Sequence, residues 1–174
     1  MARLKRARFS WEAKGISPVL VFCLFCMPGE PLRGGELSVP LPVAPEAEGV
    51  GDLQLAVDAG SNAFVAFSAV EAQGPRGIYY DVSLDGFSSV RRISLPDCNC
   101  SSPSLAVGEL AVVQIVFEAD FEGESDLFRV SNQGGPFQNP VPVSAREGVA
   151  ETQPFVWFDP LAQVSALWQE EDEG

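Results

Sequence analysis

Carboxylates recur at alternate positions in Glu118-Ala119-Asp120-Phe121-Glu122-Gly123-Glu124-Ser125-Asp126. Oxygen ligands spaced this way around a glycine can wrap calcium, which makes Asp120, Glu122, Glu124 and Asp126 a candidate cation site. The spacing matches no complete calcium loop, and a solvated hairpin loop accounts for the same residues. Calcium is the one cofactor the sequence suggests. Cys98-Asn99-Cys100, placed in a loop leading into a strand at Pro103, predicts a local or inter-chain disulfide if the chain is exported. A soft-metal or redox role and a pair of inert thiols are the competing readings, and a C-x-C without histidine is a poor zinc signature. Asn99-Cys100-Ser101 also fits the glycosylation sequon of a eukaryotic secretory route. Histidine is absent from the chain, which removes the commonest zinc ligand and the commonest general base. No complete catalytic set is present.

Charge narrows the partners. Residues 1–33 carry six Lys/Arg against two acids, whereas residues 34–174 carry five arginines against 22 acids, a formal net charge of −17. Phosphate binding needs clustered Lys/Arg, so nucleic acid is excluded as a partner. The basic head, residues 1–15, precedes an apolar run at 16–27, Ile-Ser-Pro-Val-Leu-Val-Phe-Cys-Leu-Phe-Cys-Met. That order is the pattern of a secretory signal peptide over residues 1–30, and predicts a secreted, periplasmic or cell-envelope protein. The run is too short, and too interrupted by Pro18 and Pro28, to span a bilayer, so no stable membrane span is expected after cleavage.

The elements that must position these residues repeat. Leu53–Phe67 aligns without gaps on Pro103–Phe117, with Leu55, Ala56, Val57 and Phe67 over Leu105, Ala106, Val107 and Phe117. Pro154–Trp168 follows 51 residues later. Each copy holds two apolar β-type runs around a turn such as Asp58-Ala59-Gly60-Ser61-Asn62, the pattern of a hairpin. A third run follows at 77–83 and 125–131, and a fourth at 90–94 and 140–144, where prolines suit an edge strand. No helical period appears, so the fold class is all-β. Four strands per unit of about 50 residues describe antiparallel β-propeller blades. The units are 53–94, 103–144 and the first two strands of another at 154–174, where Gln169–Gly174 reads as the loop equivalent to the acidic loop after Glu118. Gly34–Ala44 overlies Gly134–Ser144, so it reads as the outer strand of a closing blade paired with the blade begun at Pro154.

The order P-S-L-A-V, turn, V-x-I-V-F-E, acidic loop, S-D-L-F-x-V-S, turn, F-x-x-P-V-x-V-S resembles the bacterial sialidase-like (BNR, or Asp-box) β-propeller repeat over residues 34–174. The box appears in degenerate form at Ser83-Leu84-Asp85-Gly86-Phe87 and at Ser131–Phe137, where Gln133 replaces the expected Asp. Enzymes of that family clamp a substrate carboxylate with three arginines and use a Tyr–Glu pair with an Asp acid/base. Those roles do not transfer to Arg76, Arg91, Arg92, Arg129 and Arg146, and the adjacent Tyr79 and Tyr80 face opposite sides of a strand, as packing residues do.

Taken together, the sequence predicts an incomplete propeller: an exported, non-catalytic module, read as a fragment, for carbohydrate or protein binding or for scaffolding. The alternative is a fragment of a sialidase-like glycoside hydrolase whose catalytic residues lie on missing blades. Ring closure then calls for further blades or a second copy.

Overall fold

The computed structural model describes residues 3–9, 48–70, 74–83, 89–121, 123–133, 135–144 and 149–172. These residues form eleven strands and no α-helix. The first sheet runs β2 (Glu48–Val57), β3 (Ala63–Val70), β4 (Arg76–Val82) and β5 (Arg91–Arg92); the second runs β6 (Asn99–Val107), β7 (Val113–Phe121), β8 (Glu124–Ser131) and β9 (Val141–Pro142). All pairings within them are antiparallel between sequence neighbours. The third sheet holds β10 (Val149–Phe158), β11 (Val164–Asp172) and, on the far side of β11, β1 (Arg3–Phe9). No sheet closes on itself.

The second strand of each sheet is the most deeply placed. Burial runs almost unbroken along β3 and the first half of β7, which explains why AFVAFSAV and VQIVF are continuous apolar stretches rather than alternating ones. The sheets stack face to face in chain order: β6 lies against β2, β3 and β4, and β10 lies against β6, β7 and β8. Between the first two sheets, Phe64, Ala66, Ile78 and Tyr80 meet Val113, Ile115, Phe117 and Ala119. Between the second and third, Ala106, Val116 and Leu127 meet Val156, Val164, Ala166 and Trp168. Full burial of a side chain such as Phe117 contributes on the order of 2 kcal/mol.

The repeat is written into the backbone as well. Asp52, Ser102 and Gln153, spaced by 50 and 51 residues, each adopt positive φ (48°, 49° and 52°) where the pairing register of the first strand shifts. Left-handed backbone at a non-glycine residue costs about 1–2 kcal/mol. New hydrogen bonds offset it: the Ser102 N–H donates to Asp52 Oδ2 (3.3 Å), and the Gln153 N–H donates to Glu118 Oε1 (2.7 Å). The bulges therefore tie each sheet to the one before it. Buried Ser104 Oγ adds a further tie, accepting the Val156 N–H at 2.9 Å.

Several expected boundaries move. Asn99 and Cys100 belong to β6, with Cys100 opposite Ala119, and are not in a loop. Gln169–Asp172 continue β11 instead of forming a loop, because β10 and β1 pair with that strand on its two sides. The fourth strands are two-residue edges; Pro142, lacking an N–H, sits in one of them. Residues 10–47, which include the expected apolar run and the expected outer strand 34–44, lie outside the described residues. The strand beside β11 comes from the basic head, with Arg3 in register with Glu170 and Phe9 with Val164. Among the described residues no helix is long and apolar enough to cross a membrane.

Candidate functional site

The first hairpin turn of every sheet points to the same end of the stack, and the three turns together line a groove of about 330 Å³. Two turns are built alike. Asp58 Oδ1 accepts the N–H groups of Gly60 (2.9 Å) and Asn62 (2.8 Å), while Oδ2 accepts the Asn62 side-chain amide (2.8 Å). Asp159 Oδ1 accepts the N–H groups of Leu161 and Gln163, both at 2.9 Å. Aspartate closes such turns because its short carboxylate reaches its own chain two residues on. Ser61 and Ala162 take the left-handed position in each turn.

The middle turn departs from the pattern, with Gly108 where the others have aspartate. A Cβ on Gly108 would stand 2.9 Å from Cζ of Phe158, so the ring from the third sheet requires glycine there. The 3-10 turn Glu109–Ala111 then closes through Gly108 N–H to Val112 O (2.8 Å) and Val112 N–H to Glu109 O (3.2 Å).

The resulting groove has an apolar floor of Val57, Val107 and Phe158 and three carboxylates around it, Asp58, Glu109 and Asp159. The Asn62 side-chain amide, followed by the backbone N–H groups of Asn62 and Gly60, holds the Asp58 carboxyl below the ordinary aspartate value of 3.8. Such a surface accepts hydrogen bonds from hydroxyl or ammonium donors and repels anions.

At the same end, a smaller groove of about 170 Å³ lies between the first and second sheets, lined in part by Tyr80, Ser89, Arg91, Asn132 and Phe137. Its walls are braced. Asn132 Oδ1 accepts the Val113 N–H (2.7 Å) while its amide donates to Ala111 O (3.0 Å), and Phe137 meets Tyr80 edge-on at 4.8 Å between ring centroids. In the turn after β8, the Gln133 N–H donates to Ser131 Oγ (3.2 Å), so serine supports that turn.

The sequence-predicted site residues scatter. In the β7–β8 register, Asp120 is opposite Ser125 while Asp126 is opposite Ala119 and Glu124 opposite Phe121, so Asp120 faces one side of the sheet and Glu124 and Asp126 the other. Asp120 Oδ1 accepts the Gly123 N–H at 2.8 Å, and Glu122 lies outside the described residues. Among the described residues no group of three potential metal ligands is assembled. Cys98 and Cys100 are bonded as a disulfide, and both are fully buried in the core between the first two sheets.

Arg76 and Arg92 brace the backbone, and both tyrosines pack against phenylalanine rings. Arg76 donates to Gly49 O (2.9 Å) and Ser68 Oγ (3.0 Å), and Arg92 donates to Leu95 O and Pro96 O, both at 2.9 Å. Arg129 is half-buried, and desolvation lowers its pKa. Arg146 lies outside the described residues. Tyr79 stacks on Phe67 and Tyr80 enters the core, on opposite faces of β4 as alternation demands. The converging turns went unmarked in the sequence, although Asp58, Gly108 and Asp159 fall in one repeat column. That column was the available signal.

No family model matches the chain, and neither a curated protein nor a solved structure matches it.

Proposed function

We propose that the chain is an exported, non-catalytic module of β-propeller type, its sheets acting as blades, and that it binds a neutral or amino-bearing glycan in the groove formed by the first hairpin turns. The observation that carries this reading is the convergence of Asp58–Asn62, Gly108–Val112 and Asp159–Gln163 on one groove. Sugar rings offer apolar C–H faces and hydroxyl donors; Val57, Val107 and Phe158 suit the first, and carboxylate oxygens suit the second. The same carboxylates disfavour an acidic sugar such as a sialoside, whose carboxylate calls for arginine. The basic head and apolar run at residues 1–27 support export.

A glycan array probed with the folded chain tests the proposal. Retention of neutral or amino sugars over sialylated ones, weakened by Glu109→Gln, is expected. Retention of nothing, or of sialylated glycans alone, would overturn it.

A further inference from the structure

We propose that the smaller groove, between the first and second sheets, is a second ligand site that takes a carboxylate carried on a single aromatic ring, with Arg91 as the group that recognises it. The other arginines of the first sheet are committed to bracing: Arg76 donates to Gly49 O and Ser68 Oγ, and Arg92 to Leu95 O and Pro96 O. Arg91 is placed differently. It stands opposite Tyr80 in the β4–β5 pairing, whereas Arg92 stands opposite Tyr79, so alternation turns Arg91 toward the second sheet and Arg92 away from it. The Arg91 side chain is exposed, and among the described residues it makes no hydrogen bond and no ion pair. A guanidinium presents its N–H donors in a planar fork that matches a carboxylate, and here the whole fork is available to a ligand.

The surroundings of that guanidinium select the rest of the ligand. Tyr80, Val82, Pro136 and Phe137 give the groove apolar walls, and the rings of Tyr80 and Phe137 hold each other edge-on at 4.8 Å between centroids. Both ends of the Asn132 amide are occupied, by the Val113 N–H and by Ala111 O. Polar recognition therefore falls to Arg91 and to Ser89, whose hydroxyl makes no hydrogen bond among the described residues. Asp81 borders the groove but is 1% exposed, with Oδ1 accepting the Val82 N–H at 2.8 Å, so the accessible charge there is positive. Size sets the body of the ligand. A cavity of about 150 Å³ holds one benzene ring, and this groove measures about 170 Å³. A benzoate-like acid thus lays its ring against the aromatic walls and its carboxylate on the Arg91 fork, with Ser89 as a further donor. An acidic sugar fits poorly, because its hydroxyl donors would meet rings instead of acceptors and its side arms exceed a space of one ring. No lining residue is shared with the groove of the first hairpin turns, so the proposal is independent of the glycan reading.

Backbone amide NMR of the full folded chain, titrated with sodium benzoate at constant pH and ionic strength, tests it. Saturable shifts of Ser89–Arg91, Asn132, Gly135 and Phe137 are expected, with a dissociation constant on the order of 1 mM, as a single-ring ligand allows. Residues 58–62, 108–112 and 159–163 should stay unmoved. Benzamide keeps the ring without the charge, and N-acetylneuraminate keeps the carboxylate on a hydroxylated ring; each should bind at least about ten-fold more weakly. Arg91→Gln should weaken benzoate binding by about ten-fold or more, and Arg91→Lys, a point charge without the fork, by an intermediate factor. Because Arg91 is exposed and holds no other described residue, both variants are expected to keep the wild-type spectrum outside the groove. No saturable shift, shifts confined to other surfaces, benzoate affinity unchanged in Arg91→Gln, or benzamide or N-acetylneuraminate binding as tightly as benzoate would each overturn the proposal.

Discussion

The ring of Phe158 lies so close to Gly108 that a methyl group on that glycine would overlap it. One sheet thereby fixes the turn of the sheet before it, and the middle turn of the groove is shaped by packing between repeats.

Gly108→Ala should therefore destabilise the fold by about 1–3 kcal/mol, the usual cost of overpacking. Phe158→Leu in the same chain should relieve most of that loss. Denaturant melts of the two single variants and the double variant check this as a coupling energy, and additive effects would count against the contact.

Asp58 contributes through its charge. Its pKa is held below the ordinary value, so the stability it supplies is complete above about pH 5 and is lost as the pH falls through the depressed folded value. The melting temperature of Asp58→Asn should lie below that of the wild type at neutral pH, and the two should converge toward pH 3. Thermal melts across that range supply the comparison.

The Cys98–Cys100 bridge closes a loop of only three residues, so the chain entropy it removes from the unfolded state is small. Reduction should lower stability by about 1.5 kcal/mol. Both residues are buried, so the native protein should resist thiol-alkylating reagents after mild reduction until it unfolds. Alkylation followed by mass spectrometry, with and without denaturant, reports on both points.

Ser104→Ala removes the acceptor of the Val156 N–H inside the packed interface. Leaving that donor unsatisfied should cost about 1–3 kcal/mol. Ser104→Thr, which keeps the hydroxyl, should cost less in the same melts.

β1 offers a test at the chain's beginning. Removing residues 1–9 strips the strand beside β11, and the backbone amides of Val164–Glu170 should then exchange at least about ten-fold faster, while those of β7 keep their protection. Cleavage of an export signal would have the same effect, so the exchange pattern of a mature, exported sample would show which form of the third sheet persists.

The alignment of Leu55, Leu105 and Val156 was enough to recover the strand order of the first two sheets, because short apolar runs repeated at a fixed spacing leave few alternatives, whereas the pairing of Arg3–Phe9 with β11 carried no repeat signal. The bulges at Asp52, Ser102 and Gln153 were hidden: three dissimilar side chains occupy one left-handed backbone position, and hydrogen bonds to a neighbouring sheet stabilise them there. Counting carboxylates singled out Asp120, Glu122, Glu124 and Asp126; strand alternation puts Asp120 on one face and Glu124 and Asp126 on the other, and Glu122 lies outside the described residues. The groove escaped notice for the opposite reason. Its residues come from turns one repeat apart in sequence, and stacking of the sheets alone brings Asp58, Glu109 and Asp159 to one place.

The central claim is that the three first turns form one binding surface. Backbone amide NMR of the folded chain, titrated with a neutral oligosaccharide selected on the array, tests it most directly. Concerted, saturable shifts in 58–62, 108–112 and 159–163, with the β7–β8 turn around Gly123 unmoved, are the predicted result. Shifts confined to other surfaces, or in one of the three turns alone, would contradict it.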